Sequence, residues 1–202
     1  MDTKYFYSDI NLDITHRCVL QCPRCLRQQH PGMHKRGYDI TIESFSKICD
    51  HFESINFCGQ MGDCIYHPKF LELIKIAYEK NIKVKAHTNG HGKTKLFWQE
   101  AFQYKNIRWI FALDGLPKDS NKYRINQDGE YVWEIMKMGK KMGVNITWQY
   151  IPFLYNEEHI DEAIQMAKDN DMRFMLKISS RHPEGMTPSR EDLKVDRIRL
   201  ED

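Results

Sequence analysis

Short runs in which β-branched and aromatic residues alternate with polar ones recur along this chain, separated by stretches with apolar residues at three- and four-residue spacing. Such alternation predicts a parallel sheet joined by crossover helices. Strands are expected at 12–15, 54–58, 82–86, 107–113, 144–151 and 174–178, and helices at 41–53, 68–80, 93–103, 129–142 and 157–169. Thr41, with Glu43 and Ser44 behind it, reads as an N-cap, and Pro68 suits a first helical turn. Val132, Ile135, Met136 and Gly139 form one stripe, and Ile160, Ala163, Ile164 and Ala167 form another. The run 107–113 is almost continuously apolar, as in a strand covered on both faces. Right-handed crossovers would curl the six units into an α/β fold, a partial (βα)6 TIM-like barrel with parallel strands. Residues 1–180 read as the core domain and 181–202, with Pro183 and Pro188, as a polar C-terminal tail.

The unusual loops all follow strands. Three cysteines follow the first, Gly59 to Cys64 the second, His87-Thr88-Asn89-Gly90 the third and Asp114-Gly115 the fourth. In a barrel of this kind these loops share the carboxyl edge, which makes one site on one face.

Cys18, Cys22 and Cys25 fall within eight residues. They can take three corners of a cubane iron–sulfur cluster and leave the fourth iron open to an exchangeable ligand. Zinc held with His16 or His30 is the alternative, although no second ligand pair follows downstream. The loop at 58–68 adds flexible glycines and one carboxylate, Asp63, which together suit a bound ammonium; a tight turn with a solvated aspartate is the plain reading.

Composition narrows the setting. Thirty Lys and Arg against 28 Asp and Glu give a net charge of +2 in 202 residues, with no electrostatic footprint for nucleic acid or an anionic membrane. No apolar run approaches the roughly 20 residues of a membrane span. The six cysteines, at 18, 22, 25, 49, 58 and 64, crowd the first third of the chain, unlike a disulfide framework, so a reducing cytoplasm is expected. Cys49 and Cys58 read as buried structural thiols, and Cys64 borders the expected site.

The Cys-x-x-x-Cys-x-x-Cys run, the glycine–acid segment and the six βα units together resemble the radical S-adenosylmethionine (SAM) enzymes over residues 10–180. The likeness is to the branch with sulfatase-maturating and peptide-modifying enzymes and the first cyclase of molybdenum-cofactor synthesis. It implies a [4Fe-4S] cluster on Cys18, Cys22 and Cys25, chelated by the amino and carboxylate groups of SAM. An electron from flavodoxin or ferredoxin would cleave SAM to methionine and a 5′-deoxyadenosyl radical, which abstracts hydrogen from a peptide, protein or small-molecule substrate. Gly59, Gln60, Gly62 and Asp63 match the segment that binds the methionine ammonium, and Arg124 resembles the arginine that pairs with the methionine carboxylate. Leu113-Asp114-Gly115 resembles a fourth-strand segment in which Ala112 replaces the usual serine. Gln149 and Ile151 lie in the region that contacts ribose and adenine, and Arg24 stands where an aromatic is usual. Asn89 and Asp114 join the cofactor-binding set, and His87, Asn89, Asp114 and Lys177 are candidates to face the cavity and move protons, with a non-catalytic histidine as the alternative for His87. No cysteine follows Cys64, so one cluster is expected. A non-catalytic metal-binding interaction module and a catalytic subunit that needs a partner chain are the rival readings.

Overall fold

The computed structural model describes residues 7–34 and 37–194. Six parallel strands form one sheet in sequence order: β1 (Tyr7–Leu12), β2 (Phe52–Phe57), β3 (Lys83–Thr88), β4 (Ile107–Ala112), β5 (Asn145–Tyr150) and β6 (Arg173–Leu176). The short helices α1 (Leu26–Gln29) and α2 (Pro31–His34) follow β1, and α3 (Ile42–Cys49) leads into β2. Helices α4 (Phe70–Glu79), α5 (Lys95–Ala101), α6 (Gly129–Lys141) and α7 (Ile160–Asp169) connect the later strands. The expected α/β half-barrel is therefore present.

Capping chemistry sets several helix starts. Thr41, Thr94 and Asp128 each accept a backbone N–H of the first turn, from Ser44, Phe97 and Tyr131. The helix expected from Pro68 begins instead at Phe70, because His67 Nδ1 accepts the Lys69 N–H in a turn just ahead of it.

The first strand departs most from expectation. It spans Tyr7–Leu12 and pairs in register with β2 from Tyr7↔Phe52 to Leu12↔Phe57, ending where 12–15 was expected to begin. Residues 13–15 leave the sheet because their polar groups are engaged by loops: Asp13 Oδ1 accepts the Gln60 N–H, the Ile14 carbonyl accepts the Ile40 N–H, and Thr15 Oγ1 donates to Asp39.

Strand alternation divides the sheet into two faces. Ile55, Phe57, Val84, Ala86, Trp109, Phe111, Ile146, Trp148 and Tyr150 belong to the core between sheet and helices. Trp98 of α5 anchors it, its ring centroid 5.4, 5.3 and 5.2 Å from those of Phe102, Trp109 and Phe111. The register puts Asn11, Asn56, Lys85 and Arg108 on the opposite, concave face, with His87, Thr147, Gln149 and Arg173 along it. The segment after β6 is loop with one 3₁₀ turn, Glu191–Leu193; contrary to the expectation of a wholly polar tail, Leu193 is buried in the core.

Candidate active site

A cavity of about 480 Å³ opens at the carboxyl edge of the strands. The cysteine loop after β1 forms one wall. Its hydrogen bonds hold it in place: Cys25 N–H donates to the Cys22 carbonyl, Gln28 and Gln29 N–H donate to the Cys25 carbonyl, and Gln21 N–H reaches the Ile125 carbonyl in the loop after β4. Cys18, Cys22 and Cys25 are half-buried free thiols that line the cavity. Burial pushes the Cys18 thiol up to about 12, and it also raises that of Cys22 despite the Arg124 charge nearby.

The loop after β2 lies on the cysteine loop. A Cβ on Gly62 would come within 2.3 Å of the Thr15 carbonyl, and Asp63 N–H donates to the Arg17 carbonyl at 2.8 Å, so this glycine serves a backbone-on-backbone contact. The Asp63 carboxylate is 6% exposed. Its Oδ2 accepts from Asn89 N–H at 2.6 Å and Thr88 Oγ1 at 3.2 Å, and its Oδ1 accepts from Ile65 N–H. Burial lifts its pKa to about 6, against the pull of those donors. Asn89 in turn donates through Nδ2 to Cys18 Sγ at 3.5 Å and through its carbonyl accepts from Gln127 Nε2. Three consecutive loops are thereby knitted into one wall.

Arg124 occupies another wall. Its Nε lies 2.7 Å from Asp114 Oδ2, and Asp114 Oδ1 accepts the Ile151 N–H at 2.8 Å. Burial raises the Asp114 carboxyl and the arginine charge opposes that rise.

Every residue expected at the site lines this cavity except one: Cys18, Cys22, Cys25, Arg24, Gly59, Gln60, Gly62, Asp63, His87, Asn89, Arg124, Gln149 and Ile151 all do. Asp114, expected to face the cavity as a proton-transfer group, is fully buried behind it. The ion pair explains this, since a carboxylate under an arginine is turned away from solvent to hold the guanidinium. Cys58 is corrected as well: Phe57 points into the core, so the next residue faces the cavity rather than the interior of the protein. Cys49 and Cys64 are buried as packing thiols, with Cys64 Sγ directed at the His87 carbonyl. Burial and the Lys177 charge hold the His87 imidazole below its ordinary pKa, hence neutral near pH 7. Sequence reasoning did not single out Arg27, Thr88, Tyr123, Phe153 or Arg181, which also line the cavity. Thr88, Tyr123 and Phe153 sat in segments already marked and Arg181 opened the polar tail, whereas Arg27 carried no signal, since a scattered arginine reads as ordinary surface.

The profile of the radical SAM superfamily matches residues 12–167. The chain belongs to the radical SAM superfamily. Enzymes of this superfamily use a [4Fe-4S] cluster and SAM. A curated relative is the tungsten-containing aldehyde ferredoxin oxidoreductase cofactor-modifying protein of Pyrococcus furiosus, 22% identical over 175 residues, covering 82% of this chain and 47% of that protein. Among solved structures, Streptococcus suis SuiB superposes with a TM-score of 0.73 at 15% identity, covering 92% of this chain and 43% of SuiB. Native anSMEcpe with bound AdoMet superposes with a TM-score of 0.64 at 16% identity, covering 86% of this chain and 53% of anSMEcpe. These structural likenesses show the fold. The radical SAM chain described here spans about half the length of the relatives it matches.

The residues present fit the superfamily's cofactors. Among the described residues no three His, Cys, Asp or Glu side chains converge to hold a single metal ion. Three free thiols of one loop line the cavity and are the cysteine ligands an iron–sulfur cluster takes. Arg27, whose charge acts on Cys18, has a buried Nε with no hydrogen-bond acceptor, and an anionic cluster on the thiolates would supply one. No helix among the described residues is long and apolar enough to cross a membrane.

Proposed function

We propose that Cys18, Cys22 and Cys25 hold one [4Fe-4S] cluster, that SAM lies along the wall from Asp63 to Arg124 and Ile151, and that the chain abstracts hydrogen from a substrate bound over the concave face. The observation that carries this reading is the convergence of three thiols, a buried carboxylate and an anchored arginine on one cavity at the strand edge. When bound, the pair of cofactors supplies one-electron cleavage of a carbon–sulfur bond and, through it, hydrogen-atom abstraction.

The protein's part is binding, orientation and exclusion of water. Asp63 offers its carboxylate to the SAM ammonium, and the Asn89 and Ile65 N–H groups fix that carboxylate's direction. An ammonium beside it would draw its pKa down from about 6 and keep it charged. Arg124, held by Asp114, presents its remaining guanidinium donors to the SAM carboxylate. Gln149 and the backbone at Ile151 serve the ribose and adenine, with Arg24 on the opposite side. Neutral His87 faces the substrate. The reductant is a flavodoxin- or ferredoxin-type protein, the substrate a peptide, protein side chain or small metabolite, and the compartment the reducing cytoplasm, in keeping with six free thiols.

Anaerobic reconstitution tests the reading. The expected product is a brown protein with four irons per chain that converts SAM to 5′-deoxyadenosine under dithionite. A colourless protein that holds zinc and leaves SAM intact would overturn it in favour of a metal-stabilised binding module.

A further inference from the structure

The lining of the cavity is unbalanced in charge. Arg24, Arg27, Arg124, Lys177 and Arg181 face it, against a single lining carboxylate, Asp63, whose oxygens are already engaged by Asn89, Thr88 and Ile65. Two of the five cations are already engaged, and a third belongs to the cysteine loop itself. Arg124 is paired with Asp114, Arg27 acts on Cys18, and Arg24 is next in sequence to Cys25. Lys177 and Arg181 come from the segment after β6, at the opposite edge of the sheet from β1 and its cysteine loop. Neither has an ion-pair partner among the described residues.

The strands beneath add cations against one acid on the same face by register, Asp9 on β1. Lys85 on β3, Arg108 on β4 and Arg173 on β6 share the concave face by register, and they too are absent from every ion pair of the described residues. Lys177 and His87 both line the cavity. Surface cations normally gain solvation or a carboxylate neighbour; a one-sided set around a concavity raises the local concentration of anions instead.

We propose that the substrate of this radical SAM site carries a carboxylate or phosphate group that binds Lys177 and Arg181 on the β6 side of the cavity, which orients its reacting carbon toward the cysteine side. This rests on the reading of the cavity as the radical SAM site, but anion binding itself does not require the cluster.

The test is calorimetric titration of tripolyphosphate and, separately, tricarballylate into the protein, once with the cluster and SAM loaded and once cluster-free. Saturable binding that weakens steeply at about 0.5 M potassium chloride is expected, since exposed charges are screened within a few ångströms there. Lys177→Gln and Arg181→Gln should each loosen it about tenfold, the worth of a charged hydrogen bond. Lys168→Gln, which removes one exposed charge from α7, should leave it unchanged. Preference for tripolyphosphate would identify a phosphate substrate and preference for tricarballylate a carboxylate, and equal binding supports recognition by charge alone. Absence of binding in both forms, or equal affinity in the double variant K177Q/R181Q and the parent, would overturn the proposal. Anion binding by the cluster-free protein together with no cluster and no SAM cleavage would instead sink the cofactor reading and leave the anion site standing.

Discussion

The two faces of the same sheet do different jobs. The convex face is a continuous apolar layer in which Trp98, Trp109, Phe111 and Trp148 are wholly buried. The concave face, one residue out of phase on every strand, carries Asn11, Asn56, His87 and Gln149 and is open to the cavity. Period-two geometry thus separates packing from the cavity lining within single strands: Ala86 packs, and its neighbour His87 faces the cavity. Substitutions on one face should therefore leave the other's property intact.

The sharpest test of that separation is Cys22→Ser. On the cavity side it should abolish iron incorporation and SAM cleavage, while the cluster-free protein unfolds within about 1 kcal/mol of its parent, as expected for a residue outside the packed core. Urea unfolding beside an iron assay reads both. A collapse of the fold would show that the cysteine wall is part of the core. The mirror experiment is Trp98→Ala, which should cost roughly 3–5 kcal/mol by opening a cavity among Phe102, Trp109 and Phe111. The fraction that remains folded should bind SAM with parental affinity.

Asp114 lies at the seam and should break the comparison. Asp114→Ala strands the Arg124 charge in a nearly buried place, so it should lower stability by about 3 kcal/mol and weaken SAM binding together. Arg124→Gln should weaken SAM binding as much but cost less stability, because burial already raises the Asp114 carboxyl and it can take up a proton. Equal stability losses in the two variants would contradict this asymmetry.

How far the sequence reveals this division depends on what each signal encodes. Alternation and helix stripes expose the strands, and the cysteine run with Asp63 marks the site, because these are local patterns. The start of β1 is hidden because Tyr7–Leu12 carries polar Asp9 and Asn11 on its concave side and Ser8 on the other, a pattern no different from an exposed loop. Asp114 and Cys58 are misjudged for a related reason: whether a residue at a strand end points into the cavity or behind it depends on tertiary placement, the Arg124 ion pair for the first and the face that β2 turns to the core for the second. Lys85, Arg108 and Arg173 look like ordinary solvent-facing strand residues. Only closure of the sheet around them turns a solvated face into a cationic concavity.

The smallest expected effect concerns the segment that delivers this edge of the cavity. Glu157, 3% exposed, accepts from Ser189 N–H at 2.8 Å, Ser189 Oγ at 2.5 Å and Arg190 N–H at 3.2 Å, tying the chain beyond β6 to the start of α7. Burial opposes its charge, but these donors outweigh that cost and hold the carboxyl below its ordinary value. For a depressed acid, the stabilisation is complete above the unfolded pKa of about 4.3 and is lost as pH falls through the lower folded value. Parent and Glu157→Gln should therefore differ in urea midpoint at pH 6, and the gap should narrow below about pH 4.3 as the parent carboxylate takes up its proton. A gap that stays constant across that range would mean that Glu157 acts through packing, and the segment bearing Lys177 and Arg181 would owe its position to Leu193 in the core instead.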